Sequence, residues 1–296
     1  MIFGVGLPNY GKGKTFDDIK HMAQAAEQLG YDSVWTTDHV IVPQENIEPY
    51  GNILESIVTL AMVAPITQRI QLGTSILVLP QRNPILAAKQ IATIDVASGG
   101  RMIVGLGVGW NETEYKNLGA NFKNRGKRLD EDIQLLRTLW ANEDATFHGK
   151  YTHIDHAVFA PLPPEKNIPI WIGGNEEPAF QRAAKFGDAW HATGATPEVV
   201  AKAVKRLREL NPSKKLLISA RLNIDMNPAT PPYYEYRGAP RRRLTGTDDD
   251  IRQTLREYAN AGLEHAALWF PMNDVSVGLA QMERFMRDIA SEFVNK

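Results

Sequence analysis

The chain has no cysteine among its 296 residues. A disulfide, a thiolate nucleophile, an iron–sulfur cluster and a cysteine-ligated zinc site are therefore all excluded. Any redox chemistry at this protein has to use a borrowed cofactor.

The chain also lacks an excess of either charge and a long apolar run. Lys and Arg number 33 against 34 Asp and Glu, which leaves a net charge of -1. Nonspecific nucleic-acid binding needs a basic excess, and a membrane helix needs about 20 apolar residues. The first residues, Met1–Gly4, lack the charged and then apolar segments of a signal peptide. We therefore expect a cytoplasmic protein with no nucleic-acid or membrane partner.

Several widespread catalytic motifs are missing. The sequence contains no G-x-x-x-x-G-K-[ST], H-E-x-x-H or G-x-S-x-G, which argues against nucleotide hydrolysis, zincin chemistry and serine-hydrolase chemistry. The run from Gly105 to Trp110 is close to a dinucleotide-binding fingerprint, but Trp110 stands where Gly or Ala is needed. We reject that interpretation.

What the sequence does contain is a regular alternation of short apolar segments and amphipathic segments, which indicates βα units and a parallel sheet. Eight such units in one series predict an α/β fold, a (β/α)8 TIM barrel, as a single domain over residues 1–296. The predicted strands are 2–7, 31–37, 70–77, 102–106, 170–172, 189–192, 216–224 and 266–270. The predicted helices are 15–29, 53–64, 85–97, 112–118, 124–140, 179–186, 198–210, 248–261 and 277–293.

Two insertions interrupt the alternation, one after strand four and one after strand seven. Residues 142–166 contain a turn at 148–150 and predict a hairpin. Residues 227–245 are rich in Pro and Tyr and predict a long loop. Because loops that follow barrel strands lie at the face where active sites form, we expect both insertions near the substrate.

Two polar clusters in these insertions have alternative interpretations. Arg241, Arg242 and Arg243 either hold an anionic ligand tail or form a solvated face. His153, Asp155 and His156 carry metal-ligand atoms, but we find no matching carboxylate–histidine partner elsewhere in the sequence. We therefore expect a solvated cluster and no metal site.

The most informative residues follow predicted strands. Asp38 and His39 come directly after strand two, where a carboxylate beside an imidazole can tune its protonation; the alternative is a pair that braces the loop. Strand four ends in Gly105, Gly107 and Gly109, which predicts an opening in the barrel floor for an aromatic ring system.

Strand five is followed by Gly173, Gly174 and Asn175 at the start of a helix. Free backbone N–H groups and the helix dipole suit a phosphate there, although a tight βα turn accounts equally well for the pattern.

Together these segments resemble the luciferase-like monooxygenase superfamily, and within it the coenzyme F420-dependent oxidoreductases. The resemblance covers nearly the whole chain. It is carried by the segments 35–40, 72–84, 98–101, 105–110, 125–131, 169–174 and 187–190.

The resemblance implies a barrel with the cofactor ring at its C-terminal mouth. It implies that His39 handles a proton, that Asp38 holds His39 and contacts the ring, and that a non-prolyl cis peptide joins Ser75 and Ile76. It further implies that Trp110 is a cofactor-binding or rim-packing residue. The implied ribityl and phosphate path is lined by Gly107, Gly109, Gly173, Gly174 and Asn175.

The function that this resemblance implies is hydride transfer between coenzyme F420 and a small organic substrate, in a homodimer. The alternative is an FMN-dependent monooxygenase that uses dioxygen. A third possibility, from another class, is a cofactor-binding or storage protein without turnover. Related sugar-phosphate dehydrogenases carry a Glu where this chain has Trp110, so their mechanism does not transfer unchanged.

Overall fold

The computed structural model describes residues 1–236 and 238–294. Eight parallel strands close into a barrel, because the first strand pairs with both the second and the last: Val5 lies opposite Val34 on one side and Leu268 on the other. The predicted (β/α)8 barrel is confirmed.

The described strands are β1 (Ile2–Gly6), β2 (Ser33–Thr36), β3 (Gln71–Thr74), β4 (Leu77–Val78), β5 (Met102–Gly107), β6 (Asp144–His148), β7 (His153–Val158), β8 (Ile170–Gly173), β9 (Ala189–Thr193), β10 (Leu217–Asp225), β11 (Tyr233–Tyr236), β12 (Ala239–Thr245) and β13 (His265–Trp269). The barrel ring runs β1-β2-β3-β5-β8-β9-β10-β13. Its strands are almost wholly buried, since helices cover them outside and side chains fill the centre.

The described α-helices are α1 (Phe16–Leu29), α2 (Ile47–Tyr50), α3 (Ser56–Val63), α4 (Pro84–Ser98), α5 (Glu112–Asn117), α6 (Arg125–Ala141), α7 (Glu177–Phe186), α8 (Pro197–Leu210), α9 (Asp248–Asn260) and α10 (Val275–Asp288). Local signals set their ends. Thr15 and Asp18 form a capping box at α1, and Gly30 ends that helix with a φ of 86°. Thr247 and Asp250 form the same box at α9.

Three of the differences from the sequence prediction have an identifiable physical cause. Strand three is not continuous, because the chain turns at Ser75–Ile76 between β3 and β4. The second predicted helix begins at Ser56 instead of residue 53, since the side chain of Glu55 caps it by accepting from the Val58 N–H.

The third difference is the predicted loop 227–245, which is wrong over most of its length. Its Tyr-rich and Arg-rich segments form the antiparallel hairpin β11–β12, and β12 also pairs in parallel with the end of β10. The free edge of β10, which extends beyond the barrel, supplies the pairing that a loop would lack. Arg237 lies outside the described residues.

The predicted hairpin in residues 142–166 is present as β6–β7. Its tip is held against α6 by the carboxylate of Glu131, which accepts hydrogen bonds from the N–H groups of Lys150, Tyr151 and Thr152 at 2.6–2.8 Å. No helix in the described part of the chain combines the length and apolarity that crossing a bilayer requires.

Candidate active site

A pocket of about 300 Å³ opens at the C-terminal ends of the barrel strands. It brings together all ten residues that the sequence analysis placed at a cofactor, from four separate βα connections. They are Asp38, His39, Ser75, Ile76, Gly107, Gly109, Trp110, Gly173, Gly174 and Asn175. The pocket also includes residues that the sequence analysis did not place there, among them Tyr50, Thr193 and Arg221.

The floor of the pocket is the bulge at Ser75–Ile76, whose peptide bond is cis as the resemblance implied. The glycines of β5 have a different role from the one predicted. A Cβ atom at Gly105 would overlap the carbonyl oxygen of Thr74, and one at Gly107 would overlap the side chain of Ile76. The expected opening is therefore filled by the bulge, and the glycines make room for it.

This packing predicts a stability effect at Gly105. Gly105→Ala is expected to lower the free energy of unfolding by about 1–3 kcal/mol, because the backbone of Thr74 has to move to admit the methyl group. The matched control is Gly126→Ala on α6, where the new Cβ meets only Arg182 Nη2 at 3.4 Å. Urea unfolding of both variants tests this, and equal stabilities for the two would contradict the assigned role.

His39 lies in the pocket wall and is bound from behind by a buried carboxylate. Its Nδ1 is 2.9 Å from Oε2 of Glu114, whose other oxygen accepts from the N–H groups of Val40 at 2.7 Å and Ile41 at 3.2 Å. Burial by itself raises the pKa of Glu114, but the hydrogen bonds from His39 and Val40 outweigh it and leave that pKa below its ordinary value.

An ionised Glu114 determines the tautomer of His39. Because a carboxylate only accepts, Nδ1 of His39 carries the hydrogen and Nε2 is the atom left for a ligand. Among the described residues nothing bonds to Nε2. The rings of Tyr50, at 4.5 Å, and Trp110, at 5.8 Å between centroids, flank the imidazole.

Asp38 has another role than the one expected. Its carboxylate does not hold His39: one oxygen accepts from Arg82 at 2.6 Å and the other from the Val78 N–H at 2.9 Å. Arg82 also pairs with Glu55 at 2.8 Å. Asp38 therefore ties the loop after β2 to β4. The prediction that Asp38 holds His39 is wrong, whereas its predicted contact with a cofactor ring stays a prediction.

A chain of buried polar side chains crosses the barrel interior and ends at the pocket. Neighbouring members are 2.8–3.0 Å apart, and the order is Trp35, Ser33, His265, Ser219, His191 and Ser75. The indole N–H at one end can only donate. Each following hydroxyl and imidazole then accepts on one side and donates on the other, so the Ser75 hydroxyl hydrogen is left to point into the pocket.

Burial keeps both histidines of this chain neutral. It lowers the pKa of His191, with a further contribution from His265 and Arg221, and it lowers the pKa of His265; each falls to about 3. A neutral imidazole accepts at one nitrogen and donates at the other, which is what the chain needs at both positions.

The end of the pocket opposite His39 is polar. The amide of Asn175 donates to the Thr193 carbonyl at 3.0 Å and accepts from the Thr193 N–H at 3.2 Å. The guanidinium of Arg241 also donates to the Thr193 carbonyl. Asn175 and Arg241 also line a second cavity of about 660 Å³ between α7 and α8, so the two cavities adjoin there.

The chain matches the family described as luciferase-like monooxygenase over residues 1–215. It belongs to this family. Luciferase-like proteins are oxidoreductases that use a flavin or a deazaflavin.

Relatives of this luciferase-like protein include an F420-dependent glucose-6-phosphate dehydrogenase of Kineococcus radiotolerans, 34% identical over 187 residues, or 62% of this chain and 53% of the relative. An F420-dependent secondary alcohol dehydrogenase in complex with an F420-acetone adduct superimposes with a TM-score of 0.81 at 20% identity, covering 98% of each chain. An FMN complex of a Baeyer–Villiger monooxygenase component from Pseudomonas putida superimposes with a TM-score of 0.77 at 14% identity, covering 100% of this chain and 99% of that one.

The three consecutive arginines of this luciferase-like protein separate in space. Arg241 lies at the pocket, whereas Arg242 pairs with Glu257 at 2.5 Å and Arg243 donates to the Pro231 carbonyl at 2.9 Å. Side chains of consecutive residues in a strand such as β12 point to opposite faces of the sheet, so the three arginines do not act as one anion site.

The hairpin cluster also differs from the prediction. His148 lies across the hairpin from His153, and both imidazoles bond to Asp155, at 2.6 Å and 3.0 Å. A third potential metal ligand is therefore present that sequence spacing did not reveal, while His156 pairs with Asp144 instead. All three side chains are more than half exposed, and none lines the barrel-mouth pocket.

Sequence reasoning missed Glu114, Arg221, His191 and His265. Three of them share a signal that was available: Arg221 and His191 are titratable residues inside mainly apolar predicted strands, and His265 directly precedes one. Such a residue is buried and needs a partner, so it marks a polar network or a site. For Glu114 the only signal in the sequence was its position on the helix after strand four, and that position does not reveal its contact with His39.

Proposed function

We propose that this luciferase-like protein transfers a hydride between coenzyme F420 and a small organic substrate. The observation that carries the choice of F420 is the second cavity. It continues from the end of the barrel-mouth pocket opposite His39, through Asn175 and Arg241. We call the barrel-mouth pocket the ring pocket, because we propose that it holds the cofactor ring. F420 extends beyond its phosphate into a lactyl oligoglutamate tail, whereas FMN ends at the phosphate.

The charges of this second cavity suit an anionic tail. Lys202, Lys205, Arg206 and Arg241 line it, against Glu176, Glu177 and Glu209. Arg206 is already paired with Glu177 at 2.7 Å and with Glu209 at 3.2 Å. Among the described residues Lys202 and Lys205 have no ion pair, so they are available to carboxylates of a tail.

The names of relatives support the same choice, since the Kineococcus relative is called F420-dependent. Its sugar-phosphate substrate is not carried over. The resemblance puts Trp110 where the sugar-phosphate dehydrogenases carry a Glu. In this chain the carboxylate that reaches His39 is that of Glu114 on α5.

The pocket residues fit a planar ring. The cis bulge at Ser75–Ile76 forms a floor, the Ser75 hydroxyl donates upward, and His39 presents Nε2 from the side. When bound, reduced F420 supplies the hydride. His39 then holds or releases a proton at Nε2, with its tautomer maintained by Glu114, and Trp110 and Tyr50 keep the imidazole in place and limit access of water.

The proposal predicts an order of affinities. We expect F420 to bind at least about tenfold more tightly than a truncated deazaflavin that ends at the ribityl chain, and more tightly than FMN. The double variant Lys202→Gln/Lys205→Gln should lose most of this difference. The control Lys185→Gln/Lys215→Gln, at exposed lysines outside both cavities, should keep it. Quenching of tryptophan fluorescence on titration measures all three ligands.

The outcomes separate the alternatives. Tighter binding of FMN, together with dioxygen consumption coupled to product in an oxygen electrode, would replace the proposal by an FMN-dependent monooxygenase. Tight binding of F420 without turnover across a broad panel of carbonyl and unsaturated acceptors would favour a cofactor-storage protein. Binding of none of the three ligands would overturn the cofactor assignment.

A further inference from the structure

We propose that the substrate of this protein is an organic acid and that its carboxylate binds the guanidinium of Arg221. This inference rests on the proposed oxidoreductase function and adds the class of substrate. Arg221 lies on β10 and lines the ring pocket.

The first observation is that the contacts of Arg221 are all to neutral groups. Nη1 donates to Thr37 Oγ1 at 3.0 Å and lies 3.5 Å from the Ser75 carbonyl oxygen, and Nη2 donates to Tyr10 OH at 2.9 Å. The guanidinium carbon lies 4.0 Å from the ring centroid of Trp269. No carboxylate in the described part of the chain pairs with Arg221.

Three other partly buried arginines of the chain are neutralised by a carboxylate. Arg82, Arg182 and Arg242 each pair with a carboxylate, at 2.6 Å, 2.5 Å and 2.5 Å. Arg101, which has no carboxylate partner, makes five hydrogen bonds to carbonyl and hydroxyl oxygens with all three of its nitrogens. Arg221 therefore has an unneutralised charge and donors to spare.

The second observation is the position of Arg221 between two cavities. Two of its contacts, Thr37 and Ser75, line the ring pocket. The other two, Tyr10 and Trp269, line a neighbouring cavity of about 720 Å³ that also contains Asn223. An anion bound to Arg221 thus lies at the boundary of the ring pocket, with room behind it for the body of a substrate.

The surroundings favour a carboxylate. Thr37 and Tyr10, which bond to the guanidinium, and Asn223 in the neighbouring cavity are neutral, so Arg221 contributes one full positive charge and matches a monoanion. Its planar fork matches the two oxygens of a carboxylate. The same neighbouring cavity is lined by Lys12, Lys14 and Arg243 against Glu48 and Asp225. Three cationic side chains against two carboxylates leave a balance of +1, which still attracts an anion toward it.

The test uses benzoate and benzamide, which share a shape and differ in charge. Each is titrated into the F420-loaded protein and into the cofactor-free protein, with the fluorescence of Trp269 and the other tryptophans as the readout. We expect benzoate to bind at least about tenfold more tightly than benzamide. Arg221→Met should remove this preference, Arg221→Lys should keep part of it, and Arg208→Met, at an exposed arginine of α8, should leave it unchanged.

Three results would overturn the proposal. They are equal binding of benzoate and benzamide to the wild-type protein, no detectable binding of either, and an unchanged preference for benzoate in Arg221→Met. A different result would assign Arg221 to the cofactor. In that case Arg221→Met weakens the binding of F420 about tenfold, the wild-type protein shows no preference for benzoate, and the guanidinium binds an anionic ring of the cofactor. Failure of F420 to bind the wild-type protein refutes the proposed function separately, because the cofactor-free titration still reports on Arg221.

Discussion

Replacing His39 with alanine is expected to lower turnover by about 10²- to 10⁴-fold while F420 still binds. The expectation follows from the position of Nε2, which faces the ring pocket while Nδ1 is occupied by Glu114. Removal of the imidazole takes away the group that we propose exchanges a proton with the substrate. It leaves most of the pocket floor, which is made by Ser75 and Ile76, in place.

The measurement is single-turnover oxidation of pre-reduced F420, with an acceptor selected by screening the wild-type protein. His156→Ala is the matched control, since His156 is an exposed imidazole on the β6–β7 hairpin. Full turnover by a His39→Ala protein that binds F420 would refute the assignment of His39.

Glu114 is a positioning residue, and its replacement separates orientation from chemistry. In Glu114→Gln the amide can still accept from His39, but it no longer requires the hydrogen to be at Nδ1, and it loses the negative charge that stabilises a protonated imidazole. We expect a smaller loss than in His39→Ala and a pH–rate profile displaced to lower pH. A fall in turnover with an unchanged profile would indicate a structural role alone.

Acidification is expected to destabilise the protein through His191 and His265, because both are neutral inside the barrel. Their pKa values of about 3 lie below the ordinary 6.5, so between these values the unfolded chain binds protons that the folded chain does not. Stability due to each histidine is therefore complete above about pH 6.5 and falls as the pH drops toward 3. Between pH 7.5 and 4.5 the loss is about 2–3 kcal/mol per histidine.

Asp132 acts in the opposite direction. Burial raises its pKa to about 7 from 3.8, so the folded chain holds a proton there that the unfolded chain releases. The stabilising contribution of Asp132 is complete below about pH 3.8 and is lost as the pH rises through 7. On acidification this contribution therefore increases, and it offsets the loss of stability due to about one of the two histidines. The wild-type pH dependence alone is therefore a weak test, and variants are needed.

Chemical unfolding of variants between pH 4.5 and 7.5 provides that test. In His191→Gln, whose amide can still accept and donate, the loss of stability over this range should shrink by about 2–3 kcal/mol. Asp132→Asn should enlarge it by a similar amount, and His21→Gln, at an exposed histidine of α1, should leave it unchanged. If His191→Gln loses as much stability between pH 7.5 and 4.5 as the wild-type protein does, His191 is not the buried neutral group described.

The pattern of the sequence was sufficient for the barrel, because strand and helix periodicity, the capping boxes at Thr15 and Thr247 and the stop at Gly30 are local signals. The ordering of βα units also placed the pocket. The carboxyl ends of parallel strands meet at one face, so residues that follow strands two, three, four and five had to converge there.

The resemblance to luciferase-like proteins added what periodicity cannot show, namely the cis bond at Ser75–Ile76 and the kind of cofactor. Local patterns failed where partners are distant in sequence. Asp38 and His39 are neighbours in the chain, yet their side chains bind Arg82 and Glu114, which lie 44 and 75 residues away.

The sequence by itself therefore determined the architecture, the family and ten of the residues at the barrel mouth. Only the tertiary structure decided which carboxylate holds His39, that the space beside Gly105 and Gly107 is filled by the Ser75–Ile76 bulge, and that Arg221 faces the pocket without a counter-charge. The reason is physical: periodicity records which face of an element is buried, whereas hydrogen bonding and charge pairing depend on which elements closure of the barrel brings together.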